Sequence, residues 1–183
     1  MPETFLVSVA DNSFLADGAY QIGPYVLRGR FKASNLSLAG AERAFGKEDR
    51  CRLSVGGVLV SWPLLGVRGL FTTLGGFVGK TGKPDFHGNG CEYRSQVQPD
   101  SLIVFTSRWK TARGLRIGDP VSTLYRLYPN ATFHSTVVGD PSGWWLQSGS
   151  IVPGMPSVQG ELVAHVVSQH VASLRIDIDG EGE

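Results

Sequence analysis

The stretch GELVAHVVSQHVASLRIDI, Gly160 to Ile178, decides how the chain is read. Leu162, Ala164 and Val166 alternate with residues of the other face, Ser168 and Gln169 interrupt the run, and alternation resumes from Val171 to Ile178. A period of two on both sides of a short polar break predicts a β-hairpin. His165 and Arg175 fall among the residues of a second, wetter face. Such a division suits an antiparallel sheet with one covered side.

The covering layer is legible in two short stretches with a helical period. In NLSLAGAERAFG, Leu38, Ala41, Ala44 and Phe45 share one face; Asn35 or Ser37 can cap the start and Gly46 can end the helix. In GDPVSTLYRLYP, Val121, Leu124, Leu127 and Tyr128 repeat the same offsets, with Asp119 as the expected N-cap, Pro120 next and Pro129 as the stop. Each is too short to hold alone in water and must lay its apolar stripe on something else. Glycine-broken β-rich runs follow both helices. The expected fold is therefore α+β: two tandem repeats, each a short helix packed on an antiparallel β-sheet. Residues 1–24 form an N-terminal strand or extension, 25–100 the first repeat with a long polar loop, and 101–183 the second repeat with the hairpin and an acidic tail.

Composition fits a globular, turn-rich chain. Among 183 residues, 42% are hydrophobic and 18% charged, with 24 glycines and 10 prolines. A net charge of +1 gives no electrostatic footprint for nucleic acid or a membrane surface. No apolar run reaches the length of a membrane span. The first residues, MPETFLVSVADNSFLADG, have no basic segment and no long apolar core, which leaves a cytosolic protein or one whose signal has been removed. The two cysteines, Cys51 and Cys91, each sit among polar or turn-forming residues. Bridged, they close a loop of about 40 residues and point to an extracytoplasmic home.

A family resemblance rests on WKTARGLRIGDPVSTLYRLYPNA, Trp109 to Ala131, together with the closing hairpin. This has the form W-x-T-x-x-G-L-x-x-G-D-x-x-x-x-L-x-x-x-Y-P and resembles a recurrent unit of secreted and envelope proteins of bacteria. AFGKEDRCRLS and VSWPLLGVRGLF look like a more divergent first copy. Tandem helix-then-strands units of this kind are similar to the β-lactamase inhibitory protein and to the BamE (SmpA/OmlA) lipoprotein superfamily. The resemblance implies an extracytoplasmic protein-binding scaffold with no particular partner. The inhibitor-like proteins carry a bridge in each repeat, which two cysteines cannot supply, and no lipobox cysteine stands near the N-terminus.

Candidate chemistry is sparse. LGGFVGKT, Leu74 to Thr81, ends like a phosphate-binding loop, but Leu74 stands where the motif requires its first glycine and no helix signal follows Gly82 and Pro84. Asp177, Asp179 and Glu181 echo calcium-loop spacing without the further ligands such a loop needs. His87, His134, His165 and His170 lack zinc-ligand spacing, and no nucleophile elbow is present. No catalytic residue, cofactor or metal is expected. The adjacent Trp144 and Trp145 must point to opposite faces of a strand. With Tyr125, Phe86 and Tyr93 they form the candidate partner-binding set, since aromatic residues dominate binding hot spots. The expected function is a non-catalytic, secreted or cell-envelope scaffold that binds another protein, inhibitor-like if the 79–100 loop enters a partner's cleft. A small-molecule or lipid carrier is the alternative, and an unrecognised small enzyme the third.

Overall fold

The computed structural model describes residues 5–8, 21–23, 25–26, 37–54, 57–72, 91, 94, 97–135, 142–152 and 155–180. Three short strands come first: β1 (Phe5–Ser8), β2 (Gln21–Ile22) and β3 (Tyr25–Val26). Helix α1 (Leu38–Phe45) leads to β4 (Arg50–Ser54), β5 (Gly57–Trp62), β6 (Val67–Thr72), β7 (Gln98–Val104) and β8 (Trp109–Thr111). Helix α2 (Val121–Leu127) is followed by β9 (Thr132–His134), β10 (Gly143–Val152), β11 (Met155–Val167) and β12 (His170–Gly180).

These strands correct the expected architecture. The molecule is mainly β, dominated by one eight-stranded antiparallel sheet in the order β4-β5-β6-β7-β12-β11-β10-β9, with a four-stranded sheet β3-β2-β1-β8 beside it. It is not two tandem helix-on-sheet repeats. Strand β7 pairs with β6 on one side and β12 on the other, so the strands that follow α1 and those that follow α2 share one hydrogen-bonded ladder. Two similar amphipathic helices say nothing about which strands pair, because ladder bonds join backbone groups whatever the side chains.

The helices read from the sequence do form, and both cover the same side. One register row runs Trp62–Val67–Val104–Leu174–Ala164–Trp144–Phe133 across seven strands. At one end Trp62 meets Phe45 of α1 at 5.1 Å between ring centroids and donates from Nε1 to the Gly46 carbonyl at 2.8 Å. At the other end Trp144 meets Tyr125 of α2 edge-on at 5.1 Å. Between them Val67, Val104, Leu174 and Ala164 are buried in a core that Leu38, Ala41, Leu124 and Tyr128 complete. Ser37 caps α1, its side chain accepting from the Gly40 N–H at 3.3 Å, and Gly46 ends the helix at φ 85°. Asp119 does not cap α2. Pro120 holds that position with no side-chain bond, and the Asp119 carboxylate accepts instead from the Arg116 N–H at 2.8 Å, tightening the preceding turn.

The hairpin closes as the alternation predicts. Val167 faces His170 across a two-residue turn in which Ser168 and Gln169 take φ of 49° and 65°. Two successive left-handed residues make a turn that matches the twist of the strands and favours Asn-Gly. Ser168→Asn with Gln169→Gly is expected to raise stability by about 1 kcal/mol, because each non-glycine residue pays a steric penalty there. Equilibrium urea unfolding measures it, and an unchanged midpoint would show the turn carries no such cost.

Candidate functional site

With both described helices on one side, the opposite side of the large sheet carries the candidate site. Its central register row reads Arg50–Ser61–Arg68–Ile103–Arg175–Val163–Trp145–Thr132 and crosses all eight strands. The neighbouring row brings Arg52, Leu59, Leu70 and Ser101 together. Arg50, Arg52, Leu59, Arg68, Leu70 and Ile103 line a concavity of about 550 Å³. A second, of about 170 Å³, shares Arg68 and Ile103 and extends to His165 and Arg175.

Over β4 to β7 the chemistry of this face is cationic over an aliphatic floor, while on β12 and β11 the neighbouring row continues with the carboxylates Asp177 and Glu161. Arg50, Arg52 and Arg68 are exposed and make no ion pair among the described residues. The Arg68 guanidinium lies over the Phe105 ring, 5.4 Å from its centroid, which orients the charge without neutralising it. Arg175 is more enclosed and donates from Nε to Asp177 at 2.7 Å. At the far edge His134 stacks on Trp145 with centroids 4.1 Å apart. Leu59, Leu70 and Ile103 are half-buried, so apolar surface stays open between the charges.

The sequence-derived aromatic set is divided by the sheet. Trp144 and Tyr125 meet on the helix side, joined by Phe133 at 5.3 Å from Trp144, whereas Trp145 faces the other way. Phe86 and Tyr93 lie outside the described residues, as do Leu74–Thr81, His87 and Glu181. Asp177 belongs to β12 and is engaged by Arg175, and β12 continues through Asp179 to Gly180. His165 is exposed on β11, while the His170 ring is anchored through Nδ1 to the Ser168 carbonyl at 2.9 Å. Sequence reasoning placed Arg175 on the wetter face but missed Arg50, Arg52 and Arg68. The alternation in Arg50-Cys51-Arg52 was the available signal, and it acquires meaning only once β4 and β6 are known to flank β5.

Cys51 and Cys91 are joined as a disulfide with Cα atoms 6.1 Å apart, and the bridge is compatible with an oxidising, extracytoplasmic compartment. The Glu48 carboxylate lies within 4.8 Å of both sulfurs, but bridged sulfurs are not thiolate ligands, so this trio does not make a metal site in the oxidised protein. Arg94 fixes the same corner. It donates to the Cys91 carbonyl and to Glu48, and from Nε to Glu42 at 2.5 Å. Burial works to raise the Glu48 pKa, but contact with Glu42, its own backbone N–H and the Arg94 guanidinium outweigh burial and hold it below the ordinary glutamate value. Glu42 goes the other way, raised by burial and then by contact with Glu48.

A lowered folded-state pKa contributes stability above the unfolded value of 4.5 that disappears as pH falls through the folded value. Glu42, being raised, contributes with the opposite sign and is most favourable when protonated. Glu48→Gln should therefore cost about 1–3 kcal/mol at neutral pH, where it removes a buried charge-assisted bond. Its deficit should shrink once wild-type Glu48 is protonated. Urea unfolding of both proteins at neutral and acid pH tests this, and a deficit that does not change with pH contradicts it.

Fold and face together define a mainly β protein with a helix-covered side and an open, arginine-bearing side. No family model matches the chain, and no curated protein matches it either. Among solved structures, it is similar to a cysteine-rich secretory protein from Staphylococcus aureus, at 13% identity and a TM-score of 0.41. That match covers 94% of this chain and 50% of the other, so the chain spans about half the length of that structure. Among the described residues no helix is long and apolar enough to cross a membrane.

Proposed function

We propose that this chain is a non-catalytic secreted or cell-envelope protein that binds another protein across the open face of its large sheet. The observation that supports this reading is the set of three exposed arginines, Arg50, Arg52 and Arg68, set over the aliphatic floor of Leu59, Leu70 and Ile103. Arginine beside apolar surface is the composition of a binding hot spot, able to pair with carboxylates while its stem packs. The docking face is thus the side away from the helices, and Trp145 rather than Trp144 belongs to it. The disulfide supports the extracytoplasmic placement. A second reading, a carrier of small organic anions, is favoured by the 550 Å³ volume, which falls within the range of small-ligand pockets.

Capture from the secreted and envelope fractions of the source organism tests the choice. Wild type should retain a stoichiometric protein partner, Arg68→Glu should lose it, and Tyr125→Ala on the helix side should keep it. Loss with Tyr125→Ala alone would place the docking surface on the helix side. A copurified small acid in place of a protein, detected by mass spectrometry, would favour the carrier.

A further inference from the structure

The arginine row has a spacing, and the spacing specifies a ligand. Arg50, Arg68 and Arg175 occupy one register row on β4, β6 and β12, with one intervening strand between successive arginines. Adjacent strands lie about 4.8 Å apart, so the Cα positions that carry the three arginines repeat every ~9.6 Å. The positions between them are Ser61 and Ile103, a hydroxyl and an aliphatic group. A chain lying across the strands must then present a negative group about every 9.6 Å along one edge.

Common backbone conformations meet this demand unequally. An extended β-segment returns side chains to one face about every 6.8 Å, well short of the spacing. An α-helix returns to one face after seven residues, about 10.5 Å, and falls about 2 Å out of step over the row. A polyproline II segment has three residues per turn and a rise of 3.1 Å, so every third side chain lies on one edge at ~9.3 Å. Only the last stays in step across the row. The net charge of +1 argues against a long nucleic-acid polyanion, whose binding rests on a large excess of cations, and in favour of a short acidic segment.

We infer that the open face binds an acidic polyproline II segment of a partner protein, with carboxylates at every third position directed to Arg50, Arg68 and Arg175. Arg52 stands two residues from Arg50 on the same face and flanks the first carboxylate. Prolines between the acids pack on Ile103 and the adjoining Leu59 and Leu70. The third contact is the weakest, because Arg175 already holds Asp177 and the Glu161 carboxylate stands on the same face on the adjacent strand. This inference rests on the protein-binding reading above and adds the chemistry of the partner.

Fluorescence anisotropy with the full chain and a labelled peptide of three Glu-Pro-Pro repeats provides the test. The expected result is saturable, salt-sensitive binding at least about tenfold tighter than that of a peptide of equal composition with its three glutamates adjacent. Arg50→Gln and Arg68→Gln should each weaken it by about tenfold. Arg126→Gln, on α2, removes the same charge elsewhere and should leave binding unchanged, with circular dichroism confirming that all variants fold. Equal affinity for the two peptides, or equal weakening by Arg126→Gln, would reduce the effect to general charge attraction and overturn the inference. Tighter binding of an oligonucleotide, or of an alanine-rich helix with glutamate at every seventh position, would overturn it too. Absent peptide binding alongside Arg68-dependent capture of a partner would overturn this inference alone and leave the protein-binding reading standing.

Discussion

Trp109→Ala is expected to destabilise the protein by about 4–6 kcal/mol, the sum of a large-to-small core deletion and a lost hydrogen bond. Trp109 is fully buried, and its Nε1–H donates to the Leu65 carbonyl at 2.7 Å. It also stands where the two sheets meet. Strand β8 runs parallel to β1, with Trp109 opposite Phe5, while Leu65 belongs to the turn between β5 and β6. The residues that follow lock the same unit. The Thr111 hydroxyl accepts from the Leu115 N–H at 3.1 Å, Leu115 is fully buried, and Gly114 and Gly118 turn the chain at φ of 93° and 97°. Gly118 then donates to the Val171 carbonyl at 2.7 Å and Val171 to the Asp119 carbonyl at 2.8 Å, docking the loop on β12. Relaxation around the missing indole is resisted from several directions, so the cavity term should persist. Trp109→Phe keeps most of the apolar volume and should cost about 1–3 kcal/mol, since it leaves the Leu65 carbonyl without its donor. Urea unfolding measures both. A cost below about 1 kcal/mol for the alanine variant would mean that the site collapses freely and that β8 is not a core element.

Removing the disulfide ranks beside it. With the cysteines 40 residues apart, the chain-entropy model gives a loss of about 4 kcal/mol for Cys51→Ala with Cys91→Ala. The bridge ties Cys91 to β4, which among the described residues is the end strand of the large sheet and pairs with β5. Arg94, three residues on, holds the same segment to Glu42 of α1 and to Glu48. The two tethers should therefore be coupled: Arg94→Ala should cost more without the bridge than with it. A double-mutant cycle by urea unfolding reads this coupling, and additive costs would show that the tethers act independently. Alkylation supplies the direct check. Wild type should resist modification until reduced, and labelling of both cysteines without reductant would remove the bridge and the support it gives to an extracytoplasmic location.

What the sequence determined by itself is local. The hairpin at Ser168 and Gln169, the cap at Ser37, the stop at Gly46 and the opposite facing of Trp144 and Trp145 all follow from neighbours within a few residues, where backbone geometry sets a period of two or 3.6. The motif from Trp109 to Tyr128 was visible too, and its residues prove to be a buried anchor, two positive-φ turns and a helix. Only the tertiary structure decided how the strands are ordered. That β7 lies between β6 and β12 depends on backbone bonds between segments far apart in the chain, which carry no side-chain signature. The candidate site is of that second kind. Arg50, Arg68 and Arg175 are unremarkable residues on three separate strands, and they become a row of charges because one sheet sets them in register.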